Sequence, residues 1–306
     1  MIDFKKKPLF LAPLAGLSDP PLRFLAKKFG CDVTISEMIS ANALVFRNQK
    51  TIEMLKNSDF ERPFIVQIEG SDENVIKKAA EIINEIETID GIDLNCGCPV
   101  PKVVKQNAGS AILKNLDLMQ RLIETIKKYS NKKYTSVKMR LGFDEKIPEI
   151  LAKTAQNAGA DFIVIHGRTR SGWYSSIVDY EAIKSAKNAV KIPVIANGDI
   201  SLQNYKEVLK ITNADGLMIG RGAIGKPWIF KAIKENFMPT KSQIKNLVLK
   251  HLDLMSKEYK NHAVALFRKH LCEYSKGFDD ASDFRKIINK IENKEELIKK
   301  IEDFFN

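Results

Sequence analysis

Cysteine is scarce in this chain. Its 306 residues include four, Cys31, Cys96, Cys98 and Cys272, too few and too unevenly spaced for a disulfide scaffold. Long apolar runs are missing as well. No stretch reaches the ~18 residues that a membrane-spanning helix needs. The opening MIDFKKKPLFLAPLAG sets basic residues before a short apolar run, but Pro13 and Gly16 interrupt it almost at once, which argues against a secretory signal. No repeat of solenoid period and no low-complexity tract occurs. These absences lead to the expectation of a soluble, cytoplasmic protein of a reducing compartment. It would have no membrane partner and no obligate protein partner, and would work as a monomer. Acidic charge is also in short supply: 49 Lys and Arg face 38 Asp and Glu, a net of +11. That balance favours a polyanionic partner such as nucleic acid, and it is equally what a Lys-rich source would produce.

The chain has core material in plenty, with 44% hydrophobic residues. Short apolar runs recur at Leu9–Gly16, Val33–Met38, Phe64–Gly70, Gly91–Asn95, Ser136–Gly142, Phe162–Gly167, Val194–Ile200 and Gly216–Gly222. They alternate little, as strands buried on both faces should. Amphipathic segments lie between them: Glu73–Glu87, Leu116–Tyr129, Ile147–Ala158, Tyr180–Ala189 and Gln203–Ile211. Gly30, Gly159 and Asn213 stand where helices should stop. Eight such units predict an α/β fold, a (β/α)8 TIM barrel over 1–238. A doubly wound sheet would need to leave a strand at each edge. From Pro239 strand signals cease. Lys241–Tyr259, His262–Lys276, Ser282–Ile291 and Lys294–Phe305 read as helices, so a small C-terminal all-α helical domain is expected over 239–306.

In a barrel the functional groups sit at the C-terminal ends of the strands. Polar residues cluster there: Glu37, Gln67, Asn95, Cys98, Lys138, Arg140, His166, Arg168, Asn197, Asp199 and Arg221. The turns Asn197-Gly198-Asp199 and Gly220-Arg221-Gly222 suit a phosphate, whose oxygens can approach glycine backbone N–H groups and an Arg fork. Lys138 at a barrel mouth calls for an anion or an electron-rich ring, and the N1–C2=O region of a flavin is one such partner. His166 can donate to a ring or phosphate, and Gln67 can hydrogen-bond a pyrimidine edge. Cys98, after the strand-breaking Gly97, reads as a general acid or a nucleophile. Cys96-x-Cys98 lacks zinc spacing, and no metal is expected. Arg168 and Arg170 precede Trp173 and Tyr174, and Phe267-Arg268-Lys269-His270 interleaves basic and aromatic groups. Such pairings suit unstacked nucleotides; on one helix they also describe a solvated face.

The sequence resembles the tRNA-dihydrouridine synthase family over nearly its whole length. The matching pieces are LAPLAGLSDPPLR from Leu11, SEM at 36–38, QIEGSD at 67–72, DLNCGCPVPKV at 93–103, NAGSAIL, VKMRLG, IHGRTRSGWY, ANGDI, MIGRGAIGKPWIF and the RKH of 268–270. The bacterial B-type branch is the nearest. The resemblance implies an FMN-binding catalytic barrel and a helical domain that helps hold tRNA. Pro13, Leu14, Ala15 and Gln67 would line the flavin. Lys138 and His166 would contact its ring or ribityl chain, and Asn197, Gly198, Asp199, Gly220 and Arg221 its phosphate end. Cys98 matches the catalytic cysteine; Asn95 and Arg168 match residues near the target uridine. The implied reaction is NADPH-driven reduction of a D-loop uridine. Glu273 stands where members often carry Trp.

Overall fold

The computed structural model describes residues 1–173 and 175–306. Eight parallel strands close into a barrel: β1 Leu9–Leu11, β2 Val33–Ile35, β3 Phe64–Glu69, β4 Gly91–Cys96, β5 Tyr134–Arg140, β6 Phe162–His166, β7 Val194–Asn197 and β8 Gly216–Ile219. Each pairs with the next in sequence, and β1 pairs with β8 through Leu9 opposite Leu217 to close the ring. A two-residue strand, Ile39–Ser40, adds to β3 on the side of the β2 loop. All eight expected strands are present, but several stop early. β1 ends at Leu11 because Leu17 and Ser18 donate back to the Leu14 carbonyl in a tight turn. β7 ends at Asn197 because Gly198 and Asp199 take φ of +126° and +45°.

Alternate residues of each strand face opposite ways. On β5, Val137 and Met139 face the helices and join one continuous outer core with Ile163, Ile165, Ala196 and Leu217. The inward set is Tyr134, Ser136, Lys138 and Arg140. A second core fills the barrel interior with Phe10, Val33, Ile65, Tyr134, Phe162, Ile195 and Met218. Gly91 is required beside Tyr134, since a Cβ there would lie 2.8 Å from the Tyr134 backbone oxygen. The N-terminal segment closes that end: Ile2 N–H donates to Tyr134 Oη at 2.7 Å. The inward face thus runs from apolar at the N-terminal end to polar at the C-terminal end. Ile65 gives way to Gln67, Phe162 and Val164 to His166, and Ile195 to Asn197.

The helices carry their signals where the sequence places them. Asp72 and Asp179 cap helices Glu73–Asn84 and Tyr180–Ala189 through Val75 and Ala182 N–H. Gly30 and Gly159 end their helices at φ of +85° and +90°. A helix at Ile229–Glu235 adds to those expected. Beyond it, helices Lys241–Tyr259, Ala263–Tyr274, Ala281–Ile288 and Lys294–Phe304 share an apolar core of Leu252, Phe267, Leu271, Ile288, Leu297 and Ile301. Leu25 and Trp228 of the barrel enter that core, and the Trp228 and Tyr274 rings stack with centroids 6.4 Å apart. Among the described residues no helix is long and apolar enough to cross a membrane.

Candidate active site

Cys98 lies on the turn that follows β4, half-buried. Asn95 builds the turn: its Oδ1 accepts from Gly97 N–H at 3.0 Å and Cys98 N–H at 2.9 Å. The Cys98 carbonyl accepts from Ser110 N–H at 3.0 Å. Arg140, buried, donates from Nε to the Gly97 carbonyl at 2.9 Å and from Nη1 to the Thr169 and Trp173 carbonyls. It ties the cysteine turn to the loop after β6. Burial pushes the Cys98 thiol up, against the pull of the Val100 backbone and of Arg140 and Lys138. The group is therefore held as a thiol at neutral pH, the form a proton donor needs. Sequence spacing leaves acid and nucleophile open; the raised thiol favours the acid.

Lys138 is half-buried on the inward face of β5 and is pushed down to about 8, first by burial and then by Arg140, with Asp93 opposing. His166 ends β6 with a side chain held down to about 2 by burial and by the cations Lys138, Arg140 and Arg168. Its ring is neutral, and its buried Nδ1 has no hydrogen-bond partner among the described residues. The Nη1 of Arg168 is orphaned in the same way, while its Nη2 pairs with Asp199 at 2.5 Å. Asp199 also pairs with the exposed Arg221. Hydrogen bonding and charge from Arg168 hold its carboxyl low, with help from Arg221. A carboxylate repels a phosphate, so the side chain of Asp199 serves this corner by aiming two guanidinium groups. Leu14 and Gly220, from opposite ends of the chain, meet here: a Cβ on Gly220 would stand 3.8 Å from the Leu14 side chain. Pro13 is half-buried and Ala15 exposed on the same loop. Asn197 Nδ2 donates to the Met218 carbonyl at 2.8 Å, holding β7 to β8. Orphaned buried nitrogens beside a glycine turn and an exposed Arg suit a flat, polar, phosphate-bearing group such as FMN.

The basic residues expected at RNA do not share one place. Lys269 reaches the barrel mouth, its Nζ 3.5 Å from where a Gly16 side chain would begin, near Glu37, which accepts from Gly16 N–H. Arg268 instead donates to the Ile291 carbonyl at 2.5 Å. His270 is fully buried, with Nε2 3.3 Å from Asp19 Oδ2. The expectation of an RNA contact is withdrawn for His270, because no atom of its side chain reaches the surface. Successive helix residues point about 100° apart, so three neighbours cannot share one face. Arg170 lies with its guanidinium carbon 5.0 Å above the Phe143 ring. Tyr174 lies outside the described residues.

Two groups lie beyond the sequence reading. Asp19, His251 and His270 form a buried cluster of potential metal donors, all within 4.8 Å of one another, with His251 Nδ1 3.1 Å from Tyr274 Oη. These residues come from three helices or helix caps far apart in sequence, and no local spacing announces them. Asp93 and Ser136 sit wholly buried beneath the Cys98 turn. A charged residue inside the apolar run at 91–95 is the one available signal.

The overall likeness to solved structures defines the fold. The barrel superposes on an old yellow enzyme homologue from Zymomonas mobilis with a TM-score of 0.58 at 14% identity, over 77% of this chain and 90% of that one. Morphinone reductase gives 0.55 at 10% identity, over 78% and 88%. Sequence carries the assignment further. Residues 10–306 match the family model described as Dihydrouridine synthase (Dus). A probable tRNA-dihydrouridine synthase of Helicobacter pylori (strain ATCC 700392 / 26695) is 49% identical over all of this chain and 94% of its own length. A tRNA-dihydrouridine synthase B of Pasteurella multocida is 36% identical over 98% of this chain and 93% of its own length. This α/β barrel therefore belongs to the dihydrouridine synthase family.

Proposed function

We propose that the chain is an FMN-dependent tRNA-dihydrouridine synthase. It would reduce the C5=C6 bond of one D-loop uridine with NADPH as the electron source. The reading rests on the half-buried Cys98 thiol, held protonated at the end of β4 in a mouth whose buried His166 and Arg168 nitrogens lack partners among the described residues.

FMN held in this mouth would supply the hydride for C6 of the uridine, with NADPH as the source of its electrons. The protein residues do the rest. Cys98 Sγ gives its proton to C5, so that the added hydride and proton together make the dihydropyrimidine. Neutral His166 and the cation Lys138 would face the electron-rich ring. Arg221, Gly220 and the Gly198–Asp199 turn would hold the phosphate end. The uridine must leave its stack to reach the mouth, at a cost of about a few kcal/mol. Lys269 and the basic helical surface would hold the surrounding tRNA backbone.

The deciding experiment mixes purified protein with NADPH and total tRNA from cells that lack the modification. Digestion and mass spectrometry should show the mass of two added hydrogens on one uridine. A yellow protein that oxidises NADPH yet adds nothing to tRNA would turn the reading to a small-molecule substrate.

A further inference from the structure

A chain of side chains runs beneath the Cys98 turn. Ser136 Oγ donates to Asp93 Oδ1 at 2.6 Å. Gln67 Nε2 donates to Asp93 Oδ2 at 2.8 Å. Asn95 Nδ2 donates to Gln67 Oε1 at 2.7 Å. Asn95 Oδ1 then accepts from the Gly97 and Cys98 N–H groups. All four side chains are buried, Asp93 and Ser136 completely. Strand register brings them together, with Gln67 directly opposite Asp93 and Asp93 opposite Ser136.

The polarity of this chain is fixed at both ends. Backbone N–H groups can only donate, so Asn95 must turn its oxygen toward the cysteine turn. Burial pushes the Asp93 carboxyl up to about 6, so at neutral pH it is ionised and can only accept, and Gln67 must turn its nitrogen toward it. Each amide nitrogen carries two hydrogens and uses one within the chain. One N–H therefore remains on Gln67 and one on Asn95.

We propose that Asp93 is a positioning residue that, together with the Gly97 and Cys98 N–H groups at the other end of the chain, sets both amides as donors, so that the mouth reads the carbonyl oxygens of a dioxopyrimidine ring while the Cys98 turn is held in place. Uracil and the pyrimidine end of a flavin share that edge, and the inference rests on the function proposed above. Ser136 is the strut that keeps the carboxylate turned toward Gln67.

Two variants of the full chain test this. Asp93→Asn keeps the shape but can donate as well as accept, so the Gln67 amide is held from the Asn95 end alone and can reverse when the Asn95 amide turns with it, releasing the Gly97 and Cys98 N–H groups. It should lower FMN affinity, uridine reduction or both at least 10-fold and change the rate of Cys98 alkylation, followed by peptide mass mapping. The double variant Asp93→Asn with Gln67→Glu rebuilds a consistent chain: the new amide at position 93 and the Asn95 amide can both donate to the carboxylate, but position 67 has no N–H left. Its unfolding midpoint and Cys98 alkylation rate should return to wild type while recognition of the ring stays weak. FMN titration of flavin-free protein reports one ring, and kcat and KM on tRNA report the other. Asp93→Asn with FMN Kd, kcat and alkylation rate all within two-fold of wild type overturns the proposal. If Asp93→Asn fails to fold, a folded double variant with wild-type FMN affinity and turnover overturns it instead. Should wild type bind FMN but leave tRNA unchanged, the function proposed above fails while the FMN and alkylation arms still decide this one.

Discussion

Replacing Gly109 by alanine should disable Cys98 without touching it. Gly109 has φ of +59°, a region that costs a residue with a Cβ roughly 1–2 kcal/mol. The new Cβ would stand 2.8 Å from the Cys98 carbonyl oxygen, 2.9 Å from Val103 Cγ1 and 3.1 Å from Cys98 Cβ. Two of those three atoms belong to the cysteine turn, so relief comes by pushing that turn outward. Overpacking of this kind costs about 1–3 kcal/mol. The variant should therefore lose roughly 2–5 kcal/mol of stability by urea unfolding. A displacement of about 1 Å at a reacting group costs on the order of 100-fold in rate, and uridine reduction should fall by that much. FMN retention should be little changed, because Gly109 faces the cysteine and not the Leu14–Gly220 corner. A variant within about 0.5 kcal/mol of wild type, with wild-type alkylation of Cys98 and full turnover, would refute this account of the glycine.

Cys98→Ala should keep the protein yellow and reduce uridine turnover by about 100- to 10,000-fold, the range for a lost general acid; wild-type-like turnover on the mass assay would remove Cys98 from that role. Raising salt from about 50 to 200 mM should weaken tRNA binding by roughly a thousandfold or more if about six phosphates are neutralised, and a flat response in a filter-binding titration would count against a phosphate interface. Lys269→Ala should make that salt slope shallower, whereas Arg268→Ala should leave it unchanged and cost about 1–3 kcal/mol of stability by stranding the Ile291 carbonyl. His251 is pushed down to about 3 by burial, with His270 adding to the effect. It is neutral in the fold but titrates near 6.5 when unfolded, so the unfolded chain binds the extra proton and stability falls as pH drops from about 6.5 toward 3. At pH 5 the loss is about 2 kcal/mol, and His251→Gln should flatten that acid limb in urea titrations; an unchanged pH profile would place the lability elsewhere.

The barrel is legible because short, mostly apolar runs recur where the strands lie and the helices between them carry a stripe. The closed sheet then puts strand ends, and hence Gln67, Asn95, Lys138, His166, Asn197 and Arg221, on one rim. Reading those residues one at a time is less successful. Taken alone, Gln67 and Asn95 offer their amides to ligands, but the oxygen and one N–H of each are spent within the protein. Asp199, expected at a phosphate, spends its carboxylate on two arginines. Pairing across strands depends on register, and a single sequence does not state register. Strand ends read too long for a related reason. The apolar residues after Leu11 continue the pattern, while the chain has already turned to let Leu14 meet Gly220.

The three-residue run Arg268-Lys269-His270 shows what the helical region contributes to the site. His270 plugs into Asp19, the N-cap of helix Pro20–Lys28, whose side chain also accepts from Leu22 N–H. Burial pushes the Asp19 carboxyl up, but the hydrogen bond and charge of His270 and the Leu22 amide together bring it below its ordinary value. One turn along, the loop after β8 passes so close that a side chain on Gly225 would begin 2.5 Å from the Glu273 carbonyl carbon. Helix Ala263–Tyr274 is thus pinned to the loop after β1 through Asp19 and to the loop after β8 through Gly225. Those same two loops bring Leu14 against Gly220 at the proposed phosphate corner. With both ends of that contact fixed, Lys269 has one place to go, over Gly16 at the mouth. A helix rotated by one residue would swing Arg268 or His270 there instead and break the Asp19 contact. The cation at the rim therefore follows from the docking of His270, which is why a histidine that never meets solvent belongs to the same motif as a lysine that does.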